Sequence, residues 1–184
     1  MTPLGYAAKL GHNDIITALL SHGGCDLSEG SWLMDDCVRM CNIDGVKALC
    51  AEGIDPNVAI DNDMGLLHKV CKKGNLDLVK QVLSIDQIDP NYLVKNEFID
   101  SFMRIPEAVA KVSLCDPTKG GYSPLFYACL NENVDVVREM LSREGIDLKA
   151  GNTTPLQLAK SKSNLEIIEL LMEAGAEDVK VFKS

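Results

Sequence analysis

Apolar residues recur along this chain in short bursts, spaced three and four apart, and each burst is followed by a glycine or a polar turn. In residues 2–23, Leu4, Ala7 and Ala8 form one narrow apolar face, and Ile15, Ile16, Leu19 and Leu20 form a second. Apolar positions three and four apart lie on one side of a helix, so two short helices are predicted. Thr2 followed by Pro3 marks the first start, because a hydroxyl caps free N–H groups and proline tolerates the first helical position. Gly11 closes that helix, Asn13 or Asp14 caps the next, and Gly23 ends it. The result is a helix–turn–helix unit too small to bury its own apolar faces.

The same pattern returns. SPLFYACLNENVDVVREMLSREG at 123–145 and TPLQLAKSKSNLEIIELLMEAGA at 154–176 are close copies of the first stretch. GLLHKVCKKGNLDLVKQVLS at 65–84 and WLMDDCVRMCNIDGVKALCAEG at 32–53 are weaker ones. The starts at Thr2, Trp32, Gly65, Ser123 and Thr154 are spaced 30, 33, 58 and 31 residues apart. The interval of 58 holds one period of 33 and about 25 additional residues. Units that cannot bury their faces alone bury them by stacking, so a solenoid is predicted.

These units resemble the ankyrin repeat over nearly the whole chain. The T-P-L of that pattern is complete at Thr2–Leu4 and Thr154–Leu156, is S-P-L at Ser123–Leu125 and is L-L-H at Leu66–His68. The second copy departs most: Trp32 replaces the threonine, Asp35 the histidine and Cys41 the glycine, while Val46, Leu49, Cys50 and Gly53 keep its second helix. Asp55-Pro56-Asn57 and Asp89-Pro90-Asn91 supply the extended turns between copies. The resemblance implies an all-α ankyrin-repeat solenoid of stacked helix–turn–helix units with β-turn or hairpin loops, forming a single domain over residues 1–184. Its repeats would occupy about 1–27, 28–60, 61–92, 118–149 and 150–180.

The segment at about 93–117 lies outside the repeat pattern. Phe98, Phe102, Ile105 and Val109 stand three and four apart, so part of this insertion is predicted to be helical, with Pro106 breaking that helix or starting another. Two of the four phenylalanines fall here, and loops beyond ~12–15 residues in a compact domain are often functional. Phe98 and Phe102 are thus candidate partner contacts on a finger; the competing reading is a helix folded back over the solenoid.

The two ends differ. The last copy places Glu166, Glu169, Glu173, Glu177 and Lys180 among its apolar positions, as a cap needs, whereas the first leaves Leu4, Tyr6, Ala7 and Ala8 at an open end. The first copy also begins in the middle of a unit. A piece of a longer array, an edge that packs on another chain, and a natural half-repeat with an exposed face all fit this pattern.

Composition narrows the function classes. Apolar residues make up 46% of the chain and charged residues 24%, which is ordinary for a globular protein. The net charge of −9 argues against nucleic acid as a whole-surface partner, because that binding rests on neutralised phosphates. No stretch approaches the roughly 20 apolar residues that cross a bilayer, and no signal-peptide pattern opens the chain. Seven cysteines, odd in number and without framework spacing, fit a reducing compartment, which places the chain inside the cell, in the cytoplasm.

Cys37-x3-Cys41 with His68-x2-Cys71 lacks the compact pairing of zinc sites, so no metal is assigned. Neither an acid–base nor a nucleophile arrangement nor a phosphate loop is legible, so no catalytic residue, cofactor or small-molecule substrate is expected.

The resemblance implies binding through the turn tips and the exposed end of the first helix of each repeat, which line a concave face. Carried over position by position, that row is Lys9 and Leu10, then Arg39 and Met40, Lys72 and Lys73, Leu130 and Asn131, and finally Ser161 and Lys162. It holds five positive charges and no negative one, in a chain that is acidic overall. The row reads as a binding stripe for an acidic or phosphorylated segment of another protein, or as lysines and arginines that merely suit helix C-termini. Ser31, Met64, Tyr122 and Thr153 are the turn-tip candidates, and Trp32 is either an interface anchor or a filler for the degenerate repeat.

The resemblance also implies that Asn57 and Asn91 are candidates for an iron-dependent asparagine hydroxylase, since Leu49…Asp55-x-Asn57 and Leu83…Asp89-x-Asn91 match its spacing. Together these features imply a non-catalytic scaffold or adaptor that binds another protein, without nucleic acid or membrane insertion. The alternative is a regulatory or targeting segment of a larger enzyme or channel.

Overall fold

A computed structural model describes residues 2–23, 27, 30–57, 64–94, 121–151 and 153–177. Phe98, Phe102, Lys180 and nearly all of the predicted insertion lie outside the described residues.

Five helix pairs follow one another among these residues. They are α1 (Pro3–Leu10) and α2 (Asn13–Ser21), α3 (Gly30–Arg39) and α4 (Ile43–Ala51), and α5 (Leu66–Lys73) and α6 (Leu76–Val82). After the insertion come α7 (Pro124–Leu130) and α8 (Val134–Leu141), then α9 (Pro155–Ser161) and α10 (Leu165–Glu173).

The hydroxyl–proline starts act as expected: Thr2, Ser123 and Thr154 accept the N–H groups of Gly5, Phe126 and Gln157 at 3.1, 3.2 and 3.2 Å. Gln157 returns the bond to the Thr154 N–H at 3.0 Å, completing a capping box. The second helices are capped mainly by asparagine, with Asn42, Asn75 and Asn164 accepting from Gly45, Leu78 and Ile167. In the first unit Asn13 already lies inside α2, and His12 holds the cap position without a side-chain bond. Between the two helices of a unit the chain turns through a left-handed residue: Gly11 at φ +73° and Gly74 at +72°, but Cys41, Glu132 and Ser163 at +56°, +57° and +58°. Cys41 therefore takes up the conformation of the glycine it replaces, at the expense of some local strain.

The odd-numbered helices stack on one another in one layer and the even-numbered helices in a second. The core lies between them, built from Ile16, Val46, Val79 and Val137 on the even helices and from Met34, Leu66, Leu125 and Leu156 on the odd ones, all but fully buried. Of the residues expected at the open end, Leu4, Ala7 and Ala8 are in fact buried, because α1 turns that face onto α3; Tyr6 alone stays out.

Helix α5 packs directly on α7, so the stack continues across residues 95–120. Val94 and Tyr122 pair as an antiparallel bridge with N–H···O distances of 3.1 and 2.8 Å. Gly121, at φ +147°, lies so close to the Val94 carbonyl that a Cβ would stand 2.8 Å from its oxygen. The insertion thus leaves and rejoins the solenoid at one place. Replacing residues 95–120 by a short turn is expected to leave the stack folded. It should raise the unfolding free energy by up to about 1.5 kcal/mol, since a long loop costs more to close than a short one. Urea unfolding of the shortened chain checks this, and a loss above about 2 kcal/mol would mean the insertion helps hold the repeats together.

The turns are tied together by asparagine. Asn57 donates to the Gln87 carbonyl at 2.7 Å and accepts the Asp89 N–H at 2.8 Å. Asn91 repeats this one unit later, with the Gly145 carbonyl at 2.7 Å and the Asp147 N–H at 2.8 Å.

Candidate functional site

The basic row is best developed on α5. The stretch Lys69-Val-Cys-Lys72-Lys73 puts three lysines three and four apart, hence on neighbouring turns of one helix, while Val70 and Cys71 face the core. Burial, and the nearby Lys73 and Lys72, push the Lys69 ammonium below the ordinary lysine pKa. Lys73 reaches across to α3 and donates to the Val38 carbonyl at 3.4 Å. Lys72 and Lys9 point outward and form no ion pair with any described residue.

Two members of the row are neutralised locally. Asp35 is fully buried at the position where the repeat pattern has a histidine, and it binds both Arg39, at 2.6 Å, and Lys69. Lys162 pairs with Glu132 at 3.4 Å, and Glu132 also accepts from Asn164 at 3.2 Å. The stripe read from the sequence is therefore uneven. Among the described residues, its charge without an ion-pair partner lies on α1 and α5, whereas α7 contributes only half-buried Leu130 and exposed, neutral Asn131. Sequence reasoning missed Lys69 and the role of Asp35, although the three- and four-residue spacing of the α5 lysines was there to be read.

Three of the four turn-tip candidates are corrected by the structure. Met64 and Tyr122 are buried, because the residues before α5 and α7 turn inward; Tyr122 stacks on Phe126 with ring centroids 4.5 Å apart. Thr153 is buried as well, and Ser31 is half-buried. Helix α3 starts at Gly30, so Trp32 falls within its first turn rather than at its cap, and its ring is exposed; it fills no gap. Leu10 and Met40 are exposed beside Lys9 and Arg39. Met40 also borders an open cleft of about 280 Å³ between the α1–α2 and α3–α4 turns.

The cysteines of the first helices are core residues. Burial pushes the thiols of Cys37 and Cys129 up to about 12 and raises that of Cys71 still further, so all three stay protonated. Cys41 is exposed. Among the described residues no three histidine, cysteine or carboxylate side chains converge as metal ligands, and no helix is long and apolar enough to cross a membrane. Asn57 and Asn91 sit in the turns, with both amide groups engaged by the next turn as described above.

Paired helices, glycine-type turns, T-P-L starts and asparagine-linked loops together define an ankyrin solenoid. A family model of ankyrin repeats in three copies matches residues 1–60 and 67–182, and the chain belongs to that family. A comparison with curated proteins finds no match. Ankyrin repeats are generally protein–protein interaction modules.

Proposed function

We propose that this chain is a non-catalytic binding module that holds an acidic or phosphorylated segment of a partner protein along the C-terminal ends of α1, α3 and α5. The observation that carries this reading is the crowding of Lys69, Lys72 and Lys73 on one helix, with Lys72 and Lys9 meeting no counter-charge among the described residues, in a protein of net charge −9. Like charges held this close are relieved by an anionic ligand. Exposed Leu10 and Met40 add apolar contact beside the charge, and the cleft at Met40 can take a side chain. Stacked helices lie ~8–10 Å apart, and an extended segment rises ~3.3 Å per residue, so acidic groups at every third position would match successive repeats.

The test is selection from a random peptide library with neutral, acidic and phosphoserine members, with wild type beside Lys9→Glu/Lys72→Glu. Wild type should enrich acidic or phosphorylated peptides, with affinity falling about tenfold or more in the variant and at high salt. Arg39 is left intact, because a glutamate there would face buried Asp35. Enrichment of neutral peptides, or equal binding by the variant, would sink the proposal.

A further inference from the structure

The three helices that carry the basic row do not offer the same chemistry. Leu10, Met40, Lys73, Asn131 and Lys162 share one register, and all five are exposed, so their openness belongs to the position in the unit. The side chain at that position changes along the row. Leu10 and Met40 are 51% and 52% exposed and set two apolar side chains side by side on α1 and α3, which pack together, whereas α5 presents Lys73. The neighbouring register is Lys9, Arg39 and Lys72, and its middle member is already occupied. The Arg39 guanidinium holds buried Asp35 through Nε at 2.8 Å and through a terminal nitrogen at 2.6 Å. Lys9 and Lys72 meet no ion-pair partner among the described residues.

The middle unit also repels an anion. Asp36 lies four residues before Met40, hence on the same side of α3, and is half-buried. The cleft of about 280 Å³ beside Met40 has the Asp44 carboxylate in its lining, with Asn13, Asn42 and Gln81, and no lysine or arginine. Asp44 takes the neutral Asn13 amide at 3.5 Å. A carboxylate or phosphate set over α3 would therefore meet one cation that is already paired and two further carboxylates. A hydrocarbon side chain there would instead cover Leu10 and Met40 and reach the mouth of the cleft.

We infer that the segment bound along α1, α3 and α5 is anionic, apolar and anionic in turn. An acidic or phosphorylated residue sits at Lys9, a large apolar side chain three residues on lies against Leu10 and Met40, and a second acidic or phosphorylated residue three further on meets Lys72 and Lys73. This rests on the anionic reading of the row and alters its middle position, where the acid is refused. The spacing follows from helices ~8–10 Å apart and an extended rise of ~3.3 Å per residue. Apolar contact and like-charge repulsion act at the same place, so the middle position sets specificity by attraction and by exclusion together.

The experiment measures, by fluorescence anisotropy at low salt, the binding of three synthetic peptides to the full chain. Each peptide has phosphoserine at its first and seventh positions and small neutral residues between, except that the fourth position is leucine, serine or aspartate. The leucine peptide is expected to bind about fivefold or more tightly than the serine peptide, and the serine peptide about threefold or more tightly than the aspartate peptide. Met40 is exposed, so substitutions there are expected to fold. Met40→Ser should bring the leucine and serine peptides within about twofold of each other, and Met40→Lys should make the aspartate peptide bind more tightly than the serine peptide. An aspartate peptide that binds wild type as well as the leucine peptide does overturns the inference and leaves the anionic reading of the row standing. So does a leucine preference that survives Met40→Ser. If none of the three peptides binds wild type, the anionic reading itself falls, and the inference with it.

Discussion

His68→Ala is expected to lower the unfolding free energy by about 3 kcal/mol, from a lost buried ring and the unpaired carbonyl left behind. The His68 Nε2 lies 2.9 Å from the Tyr92 carbonyl and 3.1 Å from that of Tyr122, the residues flanking the insertion. Carbonyls only accept, so Nε2 carries the proton and donates to both. The Tyr122 carbonyl keeps its bond from the Val94 N–H when the imidazole is removed.

Burial holds the His68 pKa at about 4, below the ordinary 6.5, against the weaker opposing pull of the two carbonyls and Asp89. The unfolded chain therefore binds a proton near pH 6.5 that the folded chain refuses until about pH 4. Stability from this residue is complete above about pH 6.5 and is lost as pH falls towards 4, by about 3 kcal/mol in all. Urea unfolding across pH 7 to 5, where most carboxylates stay ionised, should show a downward slope in wild type that His68→Gln flattens. Equal slopes in the two proteins would show that His68 is not the group titrating.

Asp35→Ala is the second large effect, a loss of about 3–5 kcal/mol. The substitution removes the carboxylate that Lys69, whose side chain is only 11% exposed, meets beside Lys72 and Lys73. Arg39 suffers less, since its side chain is 57% exposed and water can take over. The pair as a whole need not add stability, because desolvating two charges can cost as much as their attraction returns. Asp35→Leu combined with Lys69→Met should accordingly recover to within about 1.5 kcal/mol of wild type, with a strongly non-additive double-mutant cycle. An Asp35→Ala loss below about 1 kcal/mol would show that the carboxylate is not holding α3 to α5.

Both residues mark how far the sequence could be read. His68 stood in the one L-L-H of the chain, so its place in the repeat was legible, but its partners were not. Tyr92 and Tyr122 lie 24 and 54 residues away and meet His68 only because α7 stacks on α5. Asp35 looked like a degenerate substitution at that same repeat position. It is a buried anchor because Lys69 comes from the next helix and Arg39 from the next turn of its own.

The basic row shows the same division. Which residues occupy the helix ends follows from the period alone, but which charges remain uncompensated does not. Arg39 and Lys162 are neutralised by Asp35 and by Glu132, which lies 30 residues from Lys162. Met64 and Tyr122 were placed at the tips by register, and the inward turn before α5 and α7 buries them.

The sequence by itself determined the repeat, its period, the helix pairs, most of the caps and the family. Those features rest on contacts within about four residues, where hydroxyls, prolines, glycines and apolar spacing act directly on the backbone. Only the tertiary structure decided which side chains of each unit meet the next one. That depends on stacking distances and side-chain reach between helices distant in sequence, and it is what pairs Arg39 and Lys162 with carboxylates, buries Tyr122 and keeps Tyr6 and Ile15 open.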